Sequence, residues 1–178
     1  MGSEMCIRDS NKEEYDNLAT KPKLRNSKLF EHYVVDYDKF WLKNTEKNFP
    51  KDLKEFVKFT FSKASITTIG DLQICSLYER IPDIVPDFIY LDGPNPKDVE
   101  GNINGISFKC NERTVISADL LLMESTFLPG TYILADGRTN NVNFLRNNFK
   151  RKYFFNWDKN GDRSSFELNA ERLGKYNI

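Results

Sequence analysis

Four short apolar runs, each followed at once by a polar residue, do most to limit the folds open to this chain. Tyr33-Val34-Val35 runs into Asp36-Tyr37-Asp38. Val57, Phe59 and Phe61 alternate with Lys58 and Thr60 and lead to Ser62. Phe88-Ile89-Tyr90-Leu91 ends at Asp92-Gly93-Pro94, and Tyr132-Ile133-Leu134-Ala135 at Asp136-Gly137. Alternating or continuous apolar runs of this length predict strands, and the continuity of 88–91 predicts a strand buried on both faces. Between them stand patterns of helical spacing. Trp41, Leu42, Thr45 and Phe49 form one, with Asp38 as N-cap and Pro50 as its stop. Residues 118–128 form a leucine-rich second, and Val142, Leu145 and Phe149 mark a third. Strands alternating with helices predict an α/β fold: a mostly parallel sheet flanked by helices on both faces. Residues 153–157 and 164–168, joined through Asn160-Gly161, predict a closing antiparallel hairpin. The stretch 65–78 is ambiguous, since Gly70-Asp71 can turn a hairpin or precede a short helix; 101–113, rich in Asn and Gly, reads as a loop.

The first ten residues, Met1-Gly2-Ser3-Glu4-Met5-Cys6-Ile7-Arg8-Asp9-Ser10, resemble a translated sequencing-library adapter and are expected to be foreign to the natural protein. Residues 11–30 are polar and interrupted by Pro22, as in a loop after the remnant of a lost helix. Residues 31–178 then form a single partial domain. The 178-residue chain carries 26 basic and 26 acidic residues. Setting aside Glu4, Arg8 and Asp9 leaves 25 and 24, a net charge of +1. No global field favours nucleic acid or an anionic membrane. Lys150-Arg151-Lys152 reads as a solvated helix end, with a phosphate-binding patch as the alternative. No apolar run approaches the roughly 20 residues that span a bilayer. Apart from Cys6, only Cys75 and Cys110 remain, too few for a disulfide framework or a zinc site, so a cytoplasmic location is expected. Oligomeric state is not legible.

The block Pro86-Asp87-Phe88-Ile89-Tyr90-Leu91-Asp92-Gly93-Pro94 resembles the fourth strand and acidic loop of the class I, Rossmann-type S-adenosylmethionine-dependent methyltransferases. Ala118-Asp119-Leu120-Leu121-Leu122-Met123-Glu124, followed by Leu128-Pro129-Gly130 and the run to Gly137, is similar to that family's next helix, Pro-Gly turn and fifth strand. The closing hairpin is like its sixth and seventh strands. The family's first strand and glycine-rich loop have no counterpart here, and the resemblance implies that they lie upstream of Asn11.

In open α/β sheets, ligands bind beyond the carboxyl ends of the strands, where Asp36, Ser62, Asp92 and Asp136 are all expected. A carboxylate ending the second strand can accept both ribose hydroxyls of a nucleoside. By resemblance Asp36 would hold the ribose of S-adenosylmethionine, with Asp38 as the alternative. Ser62, Lys63 and Ala64 would lie near the adenine. Asp92 would orient the acceptor, serve as general base or bind a divalent cation, and it also stands near the cofactor. Asp136 would share the catalytic role and the cation, with Asn140 or Asn141 as a further oxygen ligand; such donors suit magnesium. Arg138 can clamp an anionic or sugar-like acceptor, pair with Asp136, or face solvent. His32 precedes a strand and reads as structural. The expected activity is methyl transfer to a small molecule or glycan. Two rivals stand beside it: a metal-dependent glycosyltransferase using Asp36-Tyr37-Asp38 as an Asp-x-Asp motif, and a non-catalytic nucleotide-fold fragment.

Overall fold

The computed structural model describes residues 5–8, as backbone, and residues 31–170 in full. The expectation for 11–30 lies outside the described residues. In chain order the elements are β1 (Met5–Arg8), β2 (His32–Asp36), α1 (Lys39–Asn48), β3 (Val57–Phe61), β4 (Ala64–Ile69), β5 (Gln73–Tyr78), β6 (Phe88–Leu91) and β7 (Val99–Glu100). They continue as α2 (Asp119–Met123), β8 (Tyr132–Asp136), α3 (Thr139–Asn148), β9 (Tyr153–Asp158) and β10 (Arg163–Leu168). The fold is mixed α/β, with parallel and antiparallel pairing.

One sheet has seven strands in the order β3-β2-β1-β6-β8-β10-β9. β2 pairs parallel with β3, and β6 with β8. β1 is antiparallel to both β2 and β6, and β10 to both β8 and β9. Hence β2, β3, β6, β8 and β9 run one way and β1 and β10 the other. Only two of the six pairings are parallel, which corrects the expectation of a mostly parallel ladder.

A second correction concerns the slot between β2 and β6. The sheet was expected to lack a strand there, and the backbone of Met5–Arg8 occupies it, with Met5 opposite both Val35 and Leu91. The facing edges of β2 and β6 present rows of main-chain N–H and C=O groups. Ladder bonds do not read side chains, so an extended segment of almost any sequence can satisfy them.

The third correction lies between β3 and β6, where alternation with helices fails. Residues 64–78 form the β4–β5 hairpin, one of the two readings that Gly70-Asp71 left open, and β7 joins it in a three-stranded sheet, β5-β4-β7. Ile66, Thr67, Thr68 and Ile69 favour an extended backbone, and Gly70, at φ 53°, supplies the left-handed turn residue. α2 is also shorter than expected. After Met123 the chain tightens into a 3₁₀ turn over Glu124–Thr126, where buried Glu124 accepts the main-chain N–H groups of Lys150 and Arg151 at 2.9–3.0 Å.

The core lies against one face of the large sheet. Val35, Ile89, Leu91, Ile133 and Ala135 are buried there with Leu120, Val142, Leu145 and Phe166. Phe88 and Tyr90 are only half-buried, so β6 alternates rather than being sealed on both faces. Phe88 stacks on Tyr132 with 6.1 Å between ring centroids. Burying each such aliphatic side chain contributes roughly 1.5–3 kcal/mol before the cost of ordering the chain.

Candidate functional site

Because β2, β3, β6 and β8 run in one direction, Asp36, Ser62, Asp92 and Asp136 all lie on one rim of the large sheet, at or just past a strand's carboxyl end. Asp92 and Asp136 follow adjacent strands, the register matching Leu91 to Ala135. Between Asp36 and Asp92 stands β1, so their strands are about 9–10 Å apart at the usual spacing.

At the β2/β3 end the carboxylates face main-chain amides. Asp36 is 1% exposed, and its Oδ1 accepts the N–H of Asp38 at 2.8 Å. Its carbonyl accepts the N–H of Ser62 at 3.0 Å, tying the two strand ends together. The Asp38 Oδ1 caps α1, accepting from the N–H groups of Phe40 and Trp41 at 2.7 and 3.2 Å, as the sequence predicts. The Asp-x-Asp pair thus serves turn and cap geometry, and nothing in it favours the glycosyltransferase reading. Ser62 is buried, its Oγ accepting the N–H of Arg80 at 2.9 Å. Ala64 is fully buried at the start of β4.

Lys63 points elsewhere and pairs with Glu100 at 3.2 Å, while the Tyr37 hydroxyl donates to the same carboxylate at 3.3 Å. Burial pushes the Tyr37 phenol up, with the Glu100 charge adding to it. The hydrogen bond to Glu100 raises Lys63. Burial also raises the nearby Asp98 carboxyl, and the charge of Asp38 adds to that. Glu100 was not anticipated. It comes from a two-residue strand, 37 positions beyond Lys63, and no local pattern marks it.

At the β6/β8 end the acids meet side chains. Both Nε and Nη2 of Arg138 donate to the Asp92 Oδ1, at 3.1 and 2.9 Å. Nη2 also reaches the Gly93 carbonyl at 3.2 Å. Pairing with Asp136 was one of the three readings open to Arg138; Asp136 instead accepts from the Tyr90 hydroxyl at 3.1 Å. Asn140 donates to the Thr114 Oγ1 at 2.7 Å. Asn141 is buried, its amide clamping the main chain of Ser117 at 2.7 Å to the N–H and 3.0 Å to the carbonyl.

A divalent cation does not fit Asp92, Asp136 and Asn140 as they stand. A guanidinium already holds positive charge against the Asp92 Oδ1. Among the described residues, no three His, Cys, Asp or Glu side chains gather as a metal site.

Behind this end lies a carboxylate that sequence reading quoted but did not single out. Asp119 is 1% exposed, accepting from the Tyr78 N–H at 2.9 Å and the Ser117 Oγ at 2.6 Å. Burial without a cation raises its carboxyl to about 6, against an ordinary 3.8. Burial, with the charge of Asp119, also pushes the Cys75 thiol up to about 11, which leaves it unreactive.

Among the described residues, no helix is long and apolar enough to cross a membrane. Comparison with protein-family models, curated proteins and solved structures found no match.

Proposed function

We propose that the natural protein is an S-adenosylmethionine-dependent methyltransferase of the Rossmann-like class, and that this chain carries part of it. The supporting observation is strand order. Leaving β1 aside, the strands that run together stand as β3-β2, a gap, then β6-β8. We read that order as compatible with a doubly wound 3-2-1-4-5 sheet whose first strand is replaced, and ligands of such sheets bind at the point where the winding reverses. Asp36 and Asp92 flank that point, and the closing hairpin adds β10 and β9 at the far edge. The cofactor, when bound, supplies the sulfonium methyl group; the protein's part is alignment and a hydroxyl stripped of its proton.

In this reading Asp36 takes the ribose and Asp92 serves the acceptor. Two features limit this particular chain. The gap is filled by a strand running the other way, so no loop leaves its carboxyl end at the Asp36/Asp92 rim. Asp36 is also only 1% exposed, and a ribose reaches it only when the rim opens. Titration calorimetry with S-adenosylhomocysteine is expected to show weak or no binding to this chain and clear binding to the product of the gene restored upstream of Asn11. No heat from the restored protein removes the reading.

A further inference from the structure

β9 ends the large sheet, and among the described residues it pairs with β10 alone. Leu168 of β10 turns its N–H to Thr131 and its C=O to Gly130, away from β9. Opposite residues of an antiparallel ladder either bond each other or both turn away. Tyr153, opposite Leu168, therefore turns its main-chain groups outward, and Phe155 and Trp157 do so at the same parity. The alternate residues turn inward, as the Lys152 carbonyl does in accepting the Asn169 N–H at 2.9 Å. Among the described residues, no hydrogen bond reaches the outward main-chain groups of Tyr153, Phe155 and Trp157. Such a row is a template for another extended chain.

The side chains around the edge say which chain fits. Phe154 is 63% exposed and Trp157 46%, and strand alternation puts them on opposite faces. On the Phe155/Trp157 face, the Arg146 guanidinium lies 4.6 Å from the centre of the Phe155 ring. The Lys159 Nζ lies 5.3 Å from that of Trp157. Lys152 is exposed on the Phe154 face. The one acid of the strand, Asp158, is taken up locally. It accepts the N–H groups of Asn160 and Gly161 at 3.1 Å and stands opposite Arg163. Glu167 lies one strand further in, opposite Phe154. Positive charge prevails along the open edge. A second copy of this chain does not suit it, because edge-to-edge pairing brings two sets of Arg146, Lys152 and Lys159 into one seam. A nucleic acid would meet the charge but leave the main-chain row unpaired.

We propose that the outer edge of β9 takes up an extended acidic peptide as a further strand. Its acids lie toward Arg146 and Lys159, and its alternating apolar side chains lie beside Phe154. This binding involves neither the cofactor nor the Asp36/Asp92 rim, so it stands apart from the methyltransferase reading.

The test is a ¹H–¹⁵N NMR titration of the full chain with a capped peptide alternating glutamate and valine. A counterpart alternating lysine and valine is titrated separately. The glutamate peptide is expected to shift the amides of Tyr153, Phe155 and Trp157, and the lysine peptide to bind roughly tenfold more weakly. Lys159→Glu, in an exposed turn, should weaken the glutamate peptide a few-fold. Trp157→Thr removes the ring and keeps the outward N–H, whereas Trp157→Pro removes both. Proline is tolerated on an edge strand where the N–H faces out. The proline variant should bind about fivefold more weakly than the threonine variant, the worth of one hydrogen bond. Absence of shifts at β9, equal binding of the lysine peptide, or equal binding to the two Trp157 variants overturns the proposal. So does an oligothymidylate that shifts these amides more strongly than the peptide, which assigns the edge to nucleic acid. Concentration-dependent broadening confined to β9 without peptide also overturns it, assigning the edge to a second copy.

Discussion

At the β2/β3 end of the rim, Asp36 and Asp38 face main-chain amides of their own turn, whereas at the β6/β8 end Asp92 and Asp136 face side chains from neighbouring elements. The first arrangement is local. Two residues after a strand, the chain must turn and start a helix, and its exposed N–H groups take the nearest oxygens. The second is assembled from afar, since Arg138 lies 46 positions beyond Asp92. Asp36 is sealed at 1% exposure, whereas the Asp92 side chain keeps 27% of its surface exposed.

The largest effect should come from the part that supports the open end. Asn141→Ala removes both bonds to the buried main chain of Ser117 and leaves an N–H and a C=O without partners. A loss of roughly 2–4 kcal/mol is expected by urea unfolding. A loss below about 0.5 kcal/mol would mean that the main-chain bonds of Ile116 and Ala118 to Ser76 hold this segment without the Asn141 clamp, and the contrast between the two ends would lose its basis.

Asp119 sharpens the contrast by its pH dependence. Its folded carboxyl titrates near 6, above its ordinary 3.8, so the folded state holds the proton more tightly. The resulting stabilisation is fully present below about pH 4 and is lost as pH rises through about 6. Its size is on the order of 3 kcal/mol. Asp119→Asn should abolish that decline: its Oδ1 still accepts from the Tyr78 N–H, and its amide donates to the Ser117 Oγ where the carboxylate accepted from it. Comparing urea midpoints of the two proteins across pH 4–8 reads it directly, and parallel curves would refute it.

The smallest effect belongs to the closed end. Asp38→Ala removes the cap of α1 and should cost about 1 kcal/mol, seen as a modest fall in Tm with faster amide exchange at Phe40 and Trp41. Asp38 Oδ1 accepts both of those N–H groups. If the loss equals that of Asn141→Ala, the two ends do not differ in the way their bonding implies.

The strand ends and the Asp38 cap were legible because they depend on residues close in sequence. A period of two, a helical spacing and a capping carboxylate are all short-range signals, and they placed Asp36, Ser62, Asp92 and Asp136 at strand termini. Residues 65–78 stayed ambiguous because Gly70-Asp71 serves either structure; in the fold they pair as a hairpin, from Ala64 opposite Tyr78 to Ile69 opposite Gln73. The Glu100 partner of Lys63, the Asp92 partner of Arg138 and the burial of Asp119 were not legible. Each depends on a contact between elements 37 or more positions apart.

The sequence by itself determined the extended runs at 33–35, 57–61, 88–91 and 132–135 and the polar residues, three of them acids, that end them, because backbone propensity and side-chain periodicity act over a few residues. Tertiary structure alone decided which acids are sealed and which stay part-exposed, and what fills the slot between β2 and β6. Those outcomes turn on desolvation and on main-chain hydrogen bonds between strands, and a ladder bond carries no record of side-chain identity.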